Sequence, residues 1–169
     1  IWLDWVGQFG LPCVSEDRAS CHGQYRRTPM NTLETTSLFT SLVISARRLD
    51  MLPRYVGRFT IVFESMLCQL MRELSGDYEG GYLLMWELSN GGFYMTPGQT
   101  EKMNVVAPNG YSGIMSADAL GITGCLYMYS HLSFHTSGLD QQQFSQLFHD
   151  LRDWVLLHPE KESILAAID

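Results

Sequence analysis

The side chains that could do chemistry in this sequence are two carboxylates and a serine, together with scattered histidines and cysteines. Glu79 and Glu87 are candidate paired carboxylates, and general acid–base catalysis needs two such groups within reach of one another. Ser112 lies in a Gly-Tyr-Ser-Gly segment that matches half of a nucleophile elbow. Its flanking strand-to-helix spacing is wrong, however, and turn geometry explains the residue. A site at these three residues would make the protein a small hydrolase-like enzyme of unknown substrate, which we keep as the alternative.

The residue types that ligate metals lack the spacing of a metal site. His131 and His135 are four apart on a predicted helix, the separation of two ligands on one face, but no Cys or acid lies at a supporting position. Cys13, Cys21 and His22 match no standard zinc spacing. The sequence also contains no Walker loop, no GxGxxG after a strand, no GxSxG and no HExxH. We therefore expect no catalytic residue, no metal and no cofactor, and a protein that is not an enzyme.

Charge is unevenly distributed along the 169 residues, whose net charge is −7. Residues 1–75 carry eight Arg against seven acids, whereas residues 76–169 carry three Lys or Arg against eleven acids. The acidic part should repel nucleic acid phosphates, so we expect no direct nucleic acid binding. Its eleven acids fall well short of the charge density of B-DNA, about one charge per 1.7 Å of axis, which argues against DNA mimicry.

Hydropathy and cysteine usage bear on the compartment. No run of 18 or more apolar residues is present, so we expect no transmembrane helix. The four cysteines do not form a disulfide framework, and Cys68 and Cys125 lie on apolar faces of predicted helices, where a free thiol behaves as a small hydrophobe. Reduced thiols and the lack of a signal peptide predict a cytoplasmic protein.

Two Asn-Gly turns organise the elements that must position these side chains. Residues 81–88 alternate, with Leu84 and Trp86 on one face, and Asn90-Gly91 joins them to a returning strand at 92–96. Residues 102–107 are predicted as a third strand, and Asn109-Gly110 leads into a helix that starts at Ser116. The result is a three-stranded antiparallel meander, one face of which helices must cover.

Periodicity predicts the helices that cover this sheet. They are an amphipathic helix over 59–75, an almost wholly apolar helix from Ser116 to about Ser133, a helix capped by Asp140 with Gln143 in a capping box, and a last short helix from Glu160 to Ile168. Leu52 to Gly57 adds one helical turn, and Leu42 to Ile44 is a candidate strand. The predicted fold class is α+β, a single domain in which the meander packs with about four to five α-helices.

The first thirty residues stand apart from this domain. Residues 1–30 are an N-terminal extension of uncertain order, and residues 31–169 form the predicted α+β domain. Met30 could be the natural start of the chain, or the aromatic residues before it could dock on the main body. The sequence leaves both interpretations open.

A long series of motifs between about residue 45 and residue 169 resembles the ArdB/KlcA family of antirestriction proteins, which plasmids and other mobile elements carry in bacteria. The matching segments are Leu52-Pro53-Arg54, Phe59, Glu64-Ser65, Tyr78-Glu79-Gly80-Gly81-Tyr82, Glu87-Leu88-Ser89-Asn90-Gly91-Gly92-Phe93-Tyr94-Met95, Asn109-Gly110-Tyr111-Ser112-Gly113, Met115-Ser116-Ala117-Asp118-Ala119, Leu151-Arg152-Asp153, His158-Pro159-Glu160 and Ile164-Leu165-Ala166-Ala167-Ile168-Asp169. Residues 1–30 have no recognised counterpart, which favours an extension there.

The resemblance implies a protein that inhibits type I restriction endonucleases and so protects incoming unmodified DNA. It also implies a compact α+β fold with an antiparallel sheet and surrounding helices, and inhibition without DNA mimicry. The expected partner is a type I restriction-modification enzyme complex, contacted as protein; the sequence leaves the oligomeric state open. Exposed side chains in the matching motifs are the candidate partner contacts: Glu87, Tyr94, Tyr111, Asp118 and Asp169.

Overall fold

The computed structural model describes residues 38–169. They form one compact unit. The elements are β1 (Thr40–Leu42), α1 (Arg48–Val56), α2 (Thr60–Leu74), β2 (Leu83–Leu88), β3 (Phe93–Pro97), β4 (Met103–Val106), β5 (Ser112–Met115), α3 (Ala117–His135), α4 (Gly138–Val155) and α5 (Lys161–Ile168). The predicted extension at 1–30, with Cys13, Cys21 and His22, lies outside the described residues.

Strands β1, β2 and β3 form an antiparallel sheet in that order. The Asn90 turn joins β2 to β3 as predicted: Gly91 has φ +96°, and the Asn90 side chain accepts a hydrogen bond of 3.1 Å from the Gly92 N–H. The α+β class and the three-stranded antiparallel meander are therefore confirmed. One of the three strands differs from the prediction: the third strand of the sheet is β1 and not residues 102–107.

Residues 102–107 pair instead with a strand that the sequence analysis missed. Strand β4 forms a separate two-stranded sheet with β5, in the register Met103 opposite Met115. The second Asn-Gly turn is the cause: the Asn109 side chain accepts from the Tyr111 N–H at 3.0 Å, and Gly110 has φ +92°. This geometry closes a local hairpin and so uses the hydrogen bonds that the meander would have needed.

Helix α3 is the centre of the core. From Ala117 to Leu132 its apolar residues are buried on every side, as predicted from a sequence without a polar stripe, and Ser116 caps it by accepting from the Ala119 N–H at 3.2 Å. One face meets the inner side of the sheet, where the Tyr129 hydroxyl donates to the Phe93 carbonyl at 2.7 Å. Gly121 permits this approach, since an added Cβ would lie 2.4 Å from the Met95 carbonyl oxygen.

The predicted start of helix α4 is wrong. The helix begins at Gly138, after Ser137, and the Asp140 carboxylate pairs with Arg58 at 2.6 Å. Gln143 donates its side-chain N–H to the Tyr55 carbonyl, so it does not form a capping box. The side chains of Asp140 and Gln143 therefore bind residues that are distant in the sequence and do not cap the helix. Among residues 38–169 no helix is long and apolar enough to cross a membrane.

Candidate functional site

A cleft of about 240 Å³ opens on the outer face of the three-stranded sheet. This face carries Leu84 and Trp86 of β2, which are only half-buried, beside buried Thr96 of β3. The beginning of α3 and the end of α4 close the sides. The full lining is Thr40, Leu84, Trp86, Tyr94, Thr96, Pro97, Gln99, Ala117, Asp118 and Trp154.

Two aromatic rings form the floor of the cleft. Trp86 and Tyr94 are directly opposite each other in the β2–β3 register, and their rings stack with centroids 6.2 Å apart and planes 13° apart. The indole N–H of Trp86 donates to the Thr96 hydroxyl at 3.1 Å, which fixes the ring orientation. Cross-strand aromatic pairs stabilise a sheet, and in this pair Trp86 is half-buried whereas Tyr94 is buried.

Asp118 supplies a carboxylate at the edge of this floor. Its Oδ2 lies 3.0 Å from Nε2 of His158, whose side chain is 6% exposed while that of Asp118 is 40% exposed. The other imidazole nitrogen, Nδ1, accepts the Glu160 backbone N–H at 3.0 Å. Because Nδ1 accepts, the imidazole proton is on Nε2 and is donated to Asp118. The carboxylate is thereby held in place with part of its surface accessible.

The Ser116 cap reinforces this arrangement. Glu160 accepts hydrogen bonds through Oε1 from the Ser116 N–H at 3.0 Å and through Oε2 from the Ser116 hydroxyl. The segment before α5 therefore binds the first turn of α3 at two points, His158 to Asp118 and Glu160 to Ser116. This pairing explains why His158-Pro159-Glu160 and Ser116-Ala117-Asp118 occur as two separate polar motifs in an apolar region.

Two polar atoms lie deep in the cleft. Burial raises the pKa of the Tyr94 hydroxyl well above its usual value of 10, and the Asp118 charge raises it further, so the phenol stays protonated. The Trp154 N–H lies near this hydroxyl and opposes the rise. That N–H is buried and makes no hydrogen bond of normal geometry to any described residue. A buried donor without an acceptor is rare in proteins and marks this point of the cleft.

The structure brings together two of the five candidate contacts named from the sequence, Tyr94 and Asp118. The expectation that Tyr94 is exposed is wrong, since this residue is only 2% exposed although it lines the cleft. The sequence analysis placed Tyr94 on the returning strand but could not show that α4 covers that face of the sheet.

Glu87 lies apart from the cleft and is 15% exposed, so its predicted exposure is wrong as well. Its carboxylate accepts from Tyr55 at 3.0 Å and pairs with Arg47 at 3.0 Å and Arg54 at 3.3 Å. It belongs to the inner face of β2, where residues of the 45–59 segment surround it. These contacts give Glu87 a structural role in joining that segment to the sheet.

Tyr111 and Asp169 belong to a third region. The Asn109 side chain donates to the Ala166 carbonyl at 2.8 Å, which attaches the β4–β5 turn to α5 and brings the segments carrying Tyr111 and Asp169 together. Tyr111 is half-buried, with its hydroxyl near the place that a Gly113 side chain would occupy, and Asp169 is exposed at the end of the chain.

The residues proposed for hydrolase-like or metal chemistry do not converge among the described residues. Glu79 is exposed in a loop, Ser112 is exposed on β5, and neither they nor Glu87 line the cleft. His131 and His135 stack on each other with ring centroids 4.1 Å apart, and burial lowers the pKa of His131 to about 4. Residues 38–169 contain no group of three or more His, Cys, Asp or Glu placed to hold a metal.

Three residues that line the cleft or position its carboxylate were not among the candidate contacts: Trp86, Trp154 and His158. Trp86 was assigned to the correct face of β2, and its pairing with Tyr94 follows from the Asn90 turn. This part of the cleft could therefore have been predicted from the sequence. The sequence analysis named His158 only within a motif; its partner Asp118 is 40 residues away, and no local pattern indicates the pair. Trp154 is a half-buried helix residue, and no sequence pattern around it indicates a position in the cleft.

Comparison with known proteins gives one consistent result. A family model described as antirestriction protein matches residues 76–169. The antirestriction protein KlcA of Escherichia coli is 37% identical over 143 residues, which cover 83% of this chain and all of KlcA. The uncharacterised protein YfjX of Escherichia coli K12 is 31% identical, with 86% of this chain and 97% of YfjX covered.

One solved structure has the same fold. It matches with a TM-score of 0.73 at 36% identity, covering 83% of this chain and all of that chain. The work on that structure describes KlcA and ArdB as proteins with a novel fold and with antirestriction activity against type I DNA restriction systems in vivo but not in vitro.

Proposed function

Because this chain belongs to the antirestriction protein family, we propose that it protects incoming unmodified DNA by inhibiting type I restriction endonucleases through protein–protein contact. The observation that carries the proposal is the match over the whole of KlcA, in both sequence and fold, to proteins with activity against type I systems. The proposal places the protein in the cytoplasm, where it would meet the restriction enzyme.

Charge supports contact with protein over contact with DNA. Residues 76–169 carry eleven acids against three Lys or Arg, so the surface around the cleft repels phosphates. The arginines of the described residues are partly engaged in ion pairs: Arg47 and Arg54 with Glu87, and Arg58 with Asp140. An acidic domain of this kind favours a partner with a basic protein surface.

The geometry also favours recognition over chemistry. The polar side chains at the cleft are fixed by hydrogen bonds to their neighbours, and no serine, cysteine or lysine of residues 38–169 lines it as a nucleophile. We propose Asp118 and the hydroxyl end of Tyr94 as the central contacts, with Tyr111 and Asp169 as a second contact region near α5. Glu87 would act indirectly, by holding the segment that contains Arg47 and Arg54.

The related proteins KlcA and ArdB are active in vivo but not in vitro, and this difference limits the range of mechanisms. An inhibitor that simply blocks the free endonuclease would work equally well on purified components. We propose that this chain recognises the restriction system in a state, or together with a component, that exists in the cell. The target could then be an assembly on DNA, still contacted through its protein surface.

A plating assay tests the proposed function. Unmodified and modified phage would be plated on a strain with a type I system, with and without expression of this chain. We expect the chain to raise the plating efficiency of unmodified phage toward that of modified phage, which needs no protection. If expressed, folded protein leaves restriction of unmodified phage unchanged, the proposal is wrong.

A further inference from the structure

We propose that the cleft between Trp86, Tyr94, Asp118 and Trp154 binds an arginine side chain that a protein partner presents on an exposed segment. The inference rests on the proposed function, because it names the chemistry by which the same surface would recognise its partner. It is carried by three observations: the size of the cleft, its aromatic floor and its accessible carboxylate.

The size of the cleft favours a single side chain. Sites for small molecules and cofactors usually enclose about 300–1,000 Å³. This cleft holds about 240 Å³ and opens on a sheet face, so it does not enclose a whole cofactor. One long side chain entering from a partner fits the space, with the rest of the partner resting on the rim.

The floor and edge of the cleft favour a planar cation. Trp86, which is half-buried and stacks on buried Tyr94, supplies an aromatic ring on which a guanidinium group binds by stacking and by cation–π attraction. Asp118 supplies the opposite charge, and 40% of its side chain is accessible. No Lys or Arg of the described residues lines the cleft, and His158 donates to Asp118 from its Nε2 while its other ring nitrogen accepts an N–H. Among these residues the carboxylate therefore has no cationic partner in the cleft.

The charge of the surrounding residues favours a protein segment over a nucleotide. A nucleotide base could also stack on Trp86, but its phosphate would meet the acidic surface formed by residues 76–169. We therefore commit to an arginine-bearing segment of a protein.

Nuclear magnetic resonance titration of the full chain tests this inference directly. The probes are three capped tripeptides with glycine on either side of arginine, citrulline or glutamate, followed through the indole N–H signals of Trp86 and Trp154. We expect the arginine peptide to shift both signals with millimolar affinity, and the citrulline peptide, which has the same shape without charge, to bind at least tenfold more weakly. Equal shifts by both peptides, or stronger shifts by a mononucleotide, would overturn the inference.

Matched variants locate the charge that matters. Asp118→Asn should weaken the arginine peptide at least tenfold, whereas Glu79→Gln removes the same charge from an exposed loop outside the cleft and should leave binding unchanged. If Asp118→Asn does not fold, because the acceptor of the His158 N–H loses its charge, Trp86→Leu tests the floor instead. If the folded variant binds the arginine peptide as tightly as the original protein does, the inference is contradicted.

The same variants in the plating assay separate this inference from the proposed function. If the original protein protects phage and Trp86→Leu does not, at equal expression, both are supported. Protection by folded Asp118→Asn and Trp86→Leu at the original level would contradict the arginine cleft and leave antirestriction intact. If the original protein gives no protection, the proposed function fails, and binding of the arginine peptide still decides whether the cleft takes a cation.

Discussion

Replacement of Gly121 by alanine tests the packing that positions the cleft. Helix α3 passes so close to β3 that a Cβ at this position would lie 2.4 Å from the Met95 carbonyl oxygen and 2.6 Å from the Thr96 Cα. Both are backbone atoms of a strand that helices and a neighbouring strand hold in place. They cannot rotate away as a side chain can, so the strand and the helix must separate.

The expected loss follows from two opposing effects. Overpacking a core costs about 1–3 kcal/mol, and a clash with backbone belongs at the upper end of that range. Alanine recovers about 1 kcal/mol relative to glycine within a helix. Gly121→Ala should therefore lower the free energy of unfolding by about 2 kcal/mol. Since Thr96 lines the cleft and accepts the Trp86 N–H, the indole signal of Trp86 should shift as well.

Two other glycines are matched controls for the same chemical change. Gly76 lies after α2, and an added Cβ there would have no atom of another residue within 4 Å, so Gly76→Ala should leave stability unchanged or raise it by about 0.5 kcal/mol. At Gly124 the nearest atoms are Leu67 Cδ1 at 2.9 Å and Met71 Cγ at 3.3 Å, which belong to side chains that can move. Gly124→Ala should fall between the other two variants.

Urea unfolding followed by tryptophan fluorescence measures this order. With an m value of about 2 kcal/mol per molar, the Gly121→Ala midpoint should fall by about 1 M. A Gly121→Ala protein as stable as the original would refute the close approach of α3 to β3. So would a larger loss for Gly124→Ala than for Gly121→Ala, because side chains would then be more rigid than backbone.

Three further variants test other parts of the structure. Glu87→Gln should lower stability by about 1–2 kcal/mol, because it weakens the ion pairs to Arg47 and Arg54; an unchanged urea midpoint would refute that role. Asn109→Ala removes the bond to the Ala166 carbonyl, and amide exchange in α5 should accelerate about fivefold to tenfold for a loss of about 1 kcal/mol; equal protection would contradict the attachment. Burial lowers the His131 pKa from 6.5 to about 4, so the unfolded chain takes up this proton first and stability falls as the pH drops from 6.5 toward 4. His131→Gln should reduce that loss between pH 7 and pH 5, and an identical loss in both proteins would show that another group causes it.

The sequence analysis correctly predicted the elements that depend on residues close to one another in the chain. The Asn90 turn, the apolar helix after Ser116 and the short helix before the end of the chain were all expected from residues within a few positions of one another. The partner of a strand is not local in this way. The sequence placed 102–107 beside β3, because it treated the Asn109 turn as a lead into α3 and missed the hairpin that this turn closes.

The candidate site shows the same limit. Tyr94 and Asp118 were both named from motifs, and they meet in one cleft, but their meeting depends on α3 starting beside β3. His158 pairs with Asp118 across 40 residues, and the segment between them contains the rest of α3 and the whole of α4. Asp140 and Gln143 form a good capping box in the sequence, yet Arg58 and Tyr55 bind them in the fold. Tertiary partners override local patterns wherever polar groups become buried.

The central claim is that this chain acts by contacting the restriction enzyme as a protein. The most direct measurement is co-purification of a tagged chain with separately identified type I subunits from restricting cells, with and without nuclease treatment of the lysate. The account predicts that at least one subunit is retained after nuclease treatment, and that Glu79→Gln retains it equally. Loss of every subunit on removal of DNA, in cells where unmodified phage were protected, would contradict the claim.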